Sequence, residues 1–189
     1  MRKTKGLTNI NARFVIQTKN KCVFLDRDGV INHELGDYAY RLDHFKIIDG
    51  VIEALQKLKE NGYLLIIVTN QAGIAKNLYT EQDVRRCHQY LQNSCSHLID
   101  DLYFSPHHPT VTESLLRKPD SLMFEKAIAK YKIDPFTSWM IGDTERDILP
   151  AKKLHLKTIG IGKAANAKPD FVAENLLEAA DIIIKSAGK

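Results

Sequence analysis

Short, continuous apolar runs alternate along the chain with stretches whose apolar residues recur at helical spacing. Cys22 to Leu25 is the first such run, and Gly29 ends it. Gly50 to Asn61 then puts Val51, Leu55 and Leu58 on one helical face, with Asn61-Gly62 as a stop. Tyr63 to Val68 is apolar throughout, as a strand buried on both faces requires, and it runs directly into Thr69-Asn-Gln-Ala-Gly73. Thr80 and Asp83 predict a capped helix reaching about Leu98, with a short strand after it at Leu102 to Phe104. Ser105 to Thr112, with Pro106 and Pro109, reads as a rigid loop. Pro119 predicts the first turn of a helix that turns Leu122, Met123, Ala127, Ile128 and Tyr131 inward. Ser138 to Ile141 predicts a strand ending at Gly142-Asp143, and a helix follows from Thr144, with Pro150 either kinking it or starting its next turn. Lys157 to Ile161 predicts another strand, and Phe171 to Ile184 a last short strand and helix.

Strands alternating with helices predict an α/β fold: a Rossmann-like parallel sheet in three layers, with helices on both faces and right-handed crossovers. Val30 to Asp49 is polar and aromatic, and reads as a flap too short to be a separate domain. Residues 1–20 carry Arg2, Lys3, Lys5, Arg13 and Lys19 with no acid. They read as a solvated basic arm, with Arg13 to Thr18 available as an edge strand, in preference to a tether for an anionic surface. Residues 21–189 are then one domain. Its size agrees with the composition, since 189 residues at 44% hydrophobic can bury one sizeable core. The net charge of +4 suits a small anionic substrate and falls short of a nucleic-acid binder. With no apolar run of membrane-spanning length and no signal-peptide pattern, a cytoplasmic protein is expected. The three cysteines are widely spaced and lack a C-x-x-C, so they read as small buried apolar residues.

Four polar motifs fall at carboxyl ends of strands or beside them: Asp26-Arg-Asp28-Gly, Thr69-Asn70, Lys118-Pro119 and Gly142-Asp143-x-x-x-Asp147. In an open α/β sheet that edge is where ligands bind. Phosphoryl transfer needs an in-line nucleophile, cations for the equatorial oxygens and a proton for the leaving group. The inventory meets each need. A carboxylate can attack phosphorus to give an acyl phosphate that water later hydrolyses. Thr69 supplies a hydroxyl and Lys118 a cation, while paired carboxylates suit Mg²⁺, which takes a few acidic ligands plus water and phosphate oxygen.

In their order and spacing these motifs resemble the haloacid-dehalogenase superfamily from Lys21 to about Asp181. More narrowly, Phe-Leu-Asp-Arg-Asp-Gly-Val-Ile-Asn32, Phe45-Lys-Ile-Ile-Asp-Gly-Val51, Val68-Thr-Asn-Gln-Ala-Gly-Ile-Ala75, Ser105-Pro-His-His-Pro109 and Arg117-Lys-Pro119 are similar to the D-glycero-D-manno-heptose 1,7-bisphosphate 7-phosphatases. Histidinol-phosphate phosphatases share many of them. The resemblance implies a fold without a full cap domain and a sugar bisphosphate as substrate. It also implies Asp26 as nucleophile, with Asp28 as the acid that protonates the leaving oxygen and then activates water. Asp26, the backbone carbonyl of Asp28, and Asp143 are expected to hold Mg²⁺, with Asp147 bracing their loop. Thr69 and Lys118 are expected to grip the phosphoryl oxygens. Asn70, Gln71, Ala72, Arg117 and Thr144 are expected at the substrate, with Glu34 and Asp37 in the flap. Neither nucleic acid nor membrane is an expected partner, and a monomer is expected.

One departure concerns zinc. Members of the family with a structural zinc carry Cys-x-His and then Cys-x-Cys just before Arg-Lys-Pro. The matching positions are Ser105, His107, Ser114 and Leu116, and one imidazole cannot form a tetrahedral site, so no zinc is expected. His107 and His108 are expected to line or prop the rim. A non-catalytic member of the fold would lack the nucleophile or a metal ligand, and none is missing. A nucleic-acid end-processing enzyme would instead draw on the basic arm.

Overall fold

The computed structural model describes residues 19–34, 36 and 38–187. Arg13 to Thr18 and Asp37 lie outside the described residues. Six parallel strands form one sheet: β1 (Cys22–Leu25), β2 (Leu64–Asn70), β3 (Asp101–Ser105), β4 (Trp139–Gly142), β5 (Lys157–Ile161) and β6 (Phe171–Ala173). Their order is β3-β2-β1-β4-β5-β6. The chain therefore builds outward from β1, returns to its other side at β4, and builds outward again. That reversal opens a crevice at the carboxyl end of β1.

Alternation along β1 explains the two-layered core. Val23 and Leu25 join Leu65 and Ile67 on one face, under α1 (Val51–Glu60), α2 (Glu81–Ser94) and α5 (Leu176–Ala187). Cys22 and Phe24 point the other way with Ile66, Val68 and Met140, against α3 (Leu122–Tyr131) and Ala151 of α4 (Glu145–Lys153). A strand covered on both faces has no polar side to show, so it reads as an unbroken apolar run. The three cysteines are buried and unpaired.

Several boundaries shift from their sequence-based positions. β2 extends through Thr69 and Asn70, which pair with Phe104 and Ser105 of β3. The helix capped by Thr80 and Asp83 stops at Ser94, because Ser96 and His97 adopt φ of 52° and 60°, outside the right-handed helical region. α3 begins at Leu122 and not at Pro119, since Arg117 to Asp120 form a turn closed by Asp120 N–H to Arg117 O at 2.8 Å. α4 runs on through Pro150 to Lys153. Val30 to Asp49 is a flap tied down by isolated bridges such as Asn32 with Ile47. Among the described residues no helix is long and apolar enough to cross a membrane.

Candidate active site

Register brings the motifs together. Leu25 is level with Ile67 on β2 and Ile141 on β4, so Asp26 follows β1 one residue on, while Thr69 and Asp143 lie two residues beyond that level on the adjacent strands. The Asp26 amide donates to Ile141 O at 3.0 Å, which extends the β1–β4 ladder to Asp26 itself. Gly29 then turns the chain back at φ +84°, and any Cβ there would overlap the Asp143 carboxylate. A side chain at Gly142 would likewise overlap Asp147.

Lys118 reaches this edge from the turn before α3. Its side chain is 2% exposed, and its ammonium lies 2.7 Å from Val68 O, 2.9 Å from Asp26 Oδ1 and 2.5 Å from Asp147 Oδ1. Burial alone would lower the Lys118 pKa, but Asp147 and Asp26 overcome it and hold the pKa above its ordinary value. Asn70 fixes the backbone beneath it, donating to Lys118 O at 2.9 Å and accepting from Lys118 N–H at 3.0 Å. Asn70 is thus committed at both ends of its amide. Asp147 uses its other oxygen, Oδ2, to accept from the Thr144 amide at 3.1 Å and the Thr144 hydroxyl at 2.7 Å, closing the first turn of α4.

Around Lys118, negative charge exceeds the one positive charge it brings. Asp26, Asp143 and Asp147 place carboxylate oxygens within 4.8 Å of one another. Burial, and then repulsion from Asp147, pushes Asp26 up to about 7; burial, followed by Asp147 and Glu34, pushes Asp143 up to about 6. Three crowded carboxylates facing one lysine are a donor set that a hard divalent cation relieves, so the residues fit Mg²⁺.

Asp28 stands apart from that cluster. Its Oδ1 accepts from Arg27 Nε and NH2 at 3.2 and 2.9 Å and from Asn32 Nδ2 at 2.9 Å. Its Oδ2 accepts from Arg27 NH2 and Gln71 Nε2, both at 3.0 Å. Gln71 also donates to Thr69 Oγ1 at 3.0 Å and accepts from the Tyr79 hydroxyl at 2.9 Å.

A cavity of about 390 Å³ opens above these groups. Asp26, Asp28, Glu34, Thr69, Asn70, Gln71, Ala72, Arg117, Lys118, Asp143 and Thr144 all line it, which brings together every expected site residue within the described chain. Arg27, Tyr38, His108 and Arg146 line it too. Of these, the sequence had pointed to His108 alone. Arg146 did leave a signal, because a cation in the first turn of a helix opposes the helix dipole. Arg117 donates through NH1 to His107 O at 3.0 Å, so the guanidinium also ties down the loop that follows β3. Ser114 Oγ accepts from Leu116 N–H at 3.2 Å, and Ser105 Oγ from His107 N–H at 3.4 Å, so hydrogen bonds connect the positions where zinc-binding relatives carry ligands.

Known proteins resemble this chain in sequence and in fold. The model of the haloacid dehalogenase-like hydrolases matches residues 6–155. A D-glycero-beta-D-manno-heptose-1,7-bisphosphate 7-phosphatase of Haemophilus ducreyi is 37% identical over 174 residues, covering 84% of this chain and 95% of that protein. A D-glycero-D-manno-heptose-1,7-bisphosphate 7-phosphatase of Chlorobaculum tepidum is 34% identical over 182 residues, covering 84% and 92%. The D,D-heptose 1,7-bisphosphate phosphatase of B. bronchiseptica, solved with magnesium and phosphate, superposes with a TM-score of 0.81 at 22% identity, over 88% of this chain and 99% of that one. With the motifs, the sheet order and the carboxylate edge all in register, the chain is an enzyme of the haloacid dehalogenase-like hydrolase family.

Proposed function

We propose that the protein is a Mg²⁺-dependent phosphatase of a sugar bisphosphate, releasing the 7-phosphate of D-glycero-D-manno-heptose 1,7-bisphosphate. The observation that carries the reading is the placement of Asp26 against Lys118, with Asp28 held separately by donors, in a cavity that Arg117 and Arg146 also line. Asp26 attacks the phosphorus while the ester P–O bond breaks, and Asp28 gives its proton to the departing alkoxide oxygen. Asp28, now a carboxylate, takes a proton from water as that water attacks the aspartyl phosphate, which frees phosphate and restores Asp26. Thr69 and Lys118 hold the phosphoryl oxygens. Asp26, the backbone carbonyl of Asp28, and Asp143 would hold Mg²⁺, which neutralises the reacting phosphate when bound. Asp147 keeps Lys118 aimed at that phosphate.

The second phosphate has its own support. Arg117 and Arg146 face one cavity, and among the described residues neither has a salt bridge to a carboxylate. Burial, and then the nearby Arg146, holds Arg117 below its ordinary pKa. Two like charges brought together in this way are relieved by an anion, and guanidinium forks suit phosphate. Comparing initial rates on both anomers of heptose bisphosphate, on histidinol phosphate and on sugar monophosphates tests the reading. A heptose bisphosphate is expected to lead in kcat/KM by roughly tenfold or more, leaving the sugar 1-phosphate as product. Equal or better turnover of histidinol phosphate overturns the bisphosphate assignment.

A further inference from the structure

Arg27 sits between the two aspartates of the first motif, and its environment is unusual for an arginine. It is 2% exposed, and NH1 is buried without an acceptor. A buried donor left unpaired is unfavourable, so the position is held by what the rest of the guanidinium does. Nε and NH2 engage both oxygens of Asp28, and the same NH2 donates to Ala39 O in the flap at 2.8 Å. The ring of Phe45, also in the flap, lies 5.4 Å from the guanidinium carbon. The Arg27 carbonyl accepts from Ile31 N–H at 2.8 Å and Asn32 N–H at 3.1 Å, which starts the flap, and Asn32 in turn donates to Asp28.

A second route joins the same two places. Tyr40, next to Ala39, stacks on Tyr79 at 4.9 Å, and the Tyr79 hydroxyl holds Gln71, which holds Asp28 Oδ2. Asp28 is therefore gripped on Oδ1 by Arg27 and Asn32 and on Oδ2 by Arg27 and Gln71. Neither oxygen can turn without losing donors, and all three gripping side chains belong to the flap, are tied to it, or are tied to Tyr79, which stacks on it.

We propose that Arg27 is a positioning residue that couples the flap to Asp28, so that the leaving-group acid takes its working orientation only when the flap is seated over the cavity. Glu34, Gly36 and Tyr38 of the flap line that cavity, so substrate that seats the flap also aligns the acid. The alignment is supplied by hydrogen bonds and needs no covalent step. An ammonium at this position would keep the charge but could not bond both Asp28 oxygens and Ala39 O as the planar fork does. The inference rests on the reading of Asp28 as the acid.

The test uses full-length Arg27→Lys with Mg²⁺ present and reads kcat/KM, which covers steps only through formation of the aspartyl phosphate. Two esters are compared: heptose bisphosphate, whose alkoxide needs a proton, and p-nitrophenyl phosphate, whose leaving group does not. Arg27→Lys is expected to lose roughly 10- to 100-fold on the sugar ester, the range seen for groups that orient a catalytic ligand, and under about threefold on the aryl ester. Amide exchange across residues 38–48 is expected to quicken in the same variant. Tyr79→Phe, which loosens Asp28 from the other side, is expected to give a smaller split in the same direction, and it stands in if Arg27→Lys does not fold. Parallel losses on both esters, or unchanged flap exchange, overturn the coupling. Asp28→Asn serves as the control. If it shows no split itself, the acid assignment fails; if it splits while the Arg27 and Tyr79 variants do not, only the coupling fails.

Discussion

At the carboxyl ends of β1, β2 and β4, and at Lys118 beside them, the site is largely closed off from solvent: Thr69 is 1% exposed, and the side chains of Lys118 and Asp26 are 2% and 13% exposed. Across the same cavity, Glu34, Gly36 and Arg146 are exposed, and Arg117 is half-buried. The inner region owes its geometry to strand register and to glycines that leave no room for alternatives. The outer one is held by side chains tying loops to loops. On the proposed function, the first would set what reaction can occur, and the second which phosphate ester is presented to it. Loops supported by a rigid sheet can change selectivity without disturbing the charges that carry the chemistry.

Substitutions on either side should therefore fail in different ways. The largest effect belongs to the inner region: Asp26→Asn is expected to lower kcat by ~10⁴-fold or more on every ester, since an amide neither attacks phosphorus nor carries charge to a cation. Turnover near the wild-type value would rule out the covalent route. Next in size is the response to Mg²⁺. At a hundredfold excess over its Kd a ligand of the folded state stabilises by about 2.7 kcal/mol, which in a domain of this size is roughly 5–10 °C in Tm. Calorimetry of the chelated and Mg²⁺-loaded protein should show that shift, and Asp143→Asn should lose most of it. An unchanged Tm at millimolar Mg²⁺ would mean that the carboxylates are not a cation site.

Smaller effects are expected in the outer region, and only on some substrates. Arg117→Ala should lose about 2 kcal/mol, or roughly thirtyfold in kcat/KM, on a sugar bisphosphate while barely changing a monophosphate. Because Arg117 also ties down the loop at His107, the monophosphate arm separates lost phosphate contact from a displaced loop. Arg146→Ala, at an exposed site screened by water, should cost about 1 kcal/mol or less on the bisphosphate and nothing on the monophosphate. Equal losses on both substrates for either arginine would erase the division between the two regions.

The same division marks what could be read from the sequence. β5 runs from Lys157 to Ile161 as expected, and Thr158 to Ile161 are buried because the sheet is covered on both faces. Asp26, Thr69 and Asp143 announce themselves by residue type at strand ends, and Lys118 by its place before a proline. The end of β2 was missed because Thr69 and Asn70 look like a turn, although they continue the ladder with β3. The start of α3 was missed because the backbone at Lys118 is fixed by Asn70, 48 residues away, and no local propensity encodes that. Arg27 was passed over for a similar reason: its neighbours in sequence are Asp26 and Asp28, but the partner that gives it meaning is the carbonyl of Ala39. Tyr79 acts only through Gln71, and nothing in its spacing points to Asp28.

Asp147 joins two jobs that proteins usually keep apart. One of its oxygens closes the first turn of α4, and the other holds the buried lysine that faces Asp26. The completeness of a helix end is thereby made a condition for the charge balance of the reaction. If that turn frays, Lys118 loses an anchor, and the contact it makes with Asp26 loses its support.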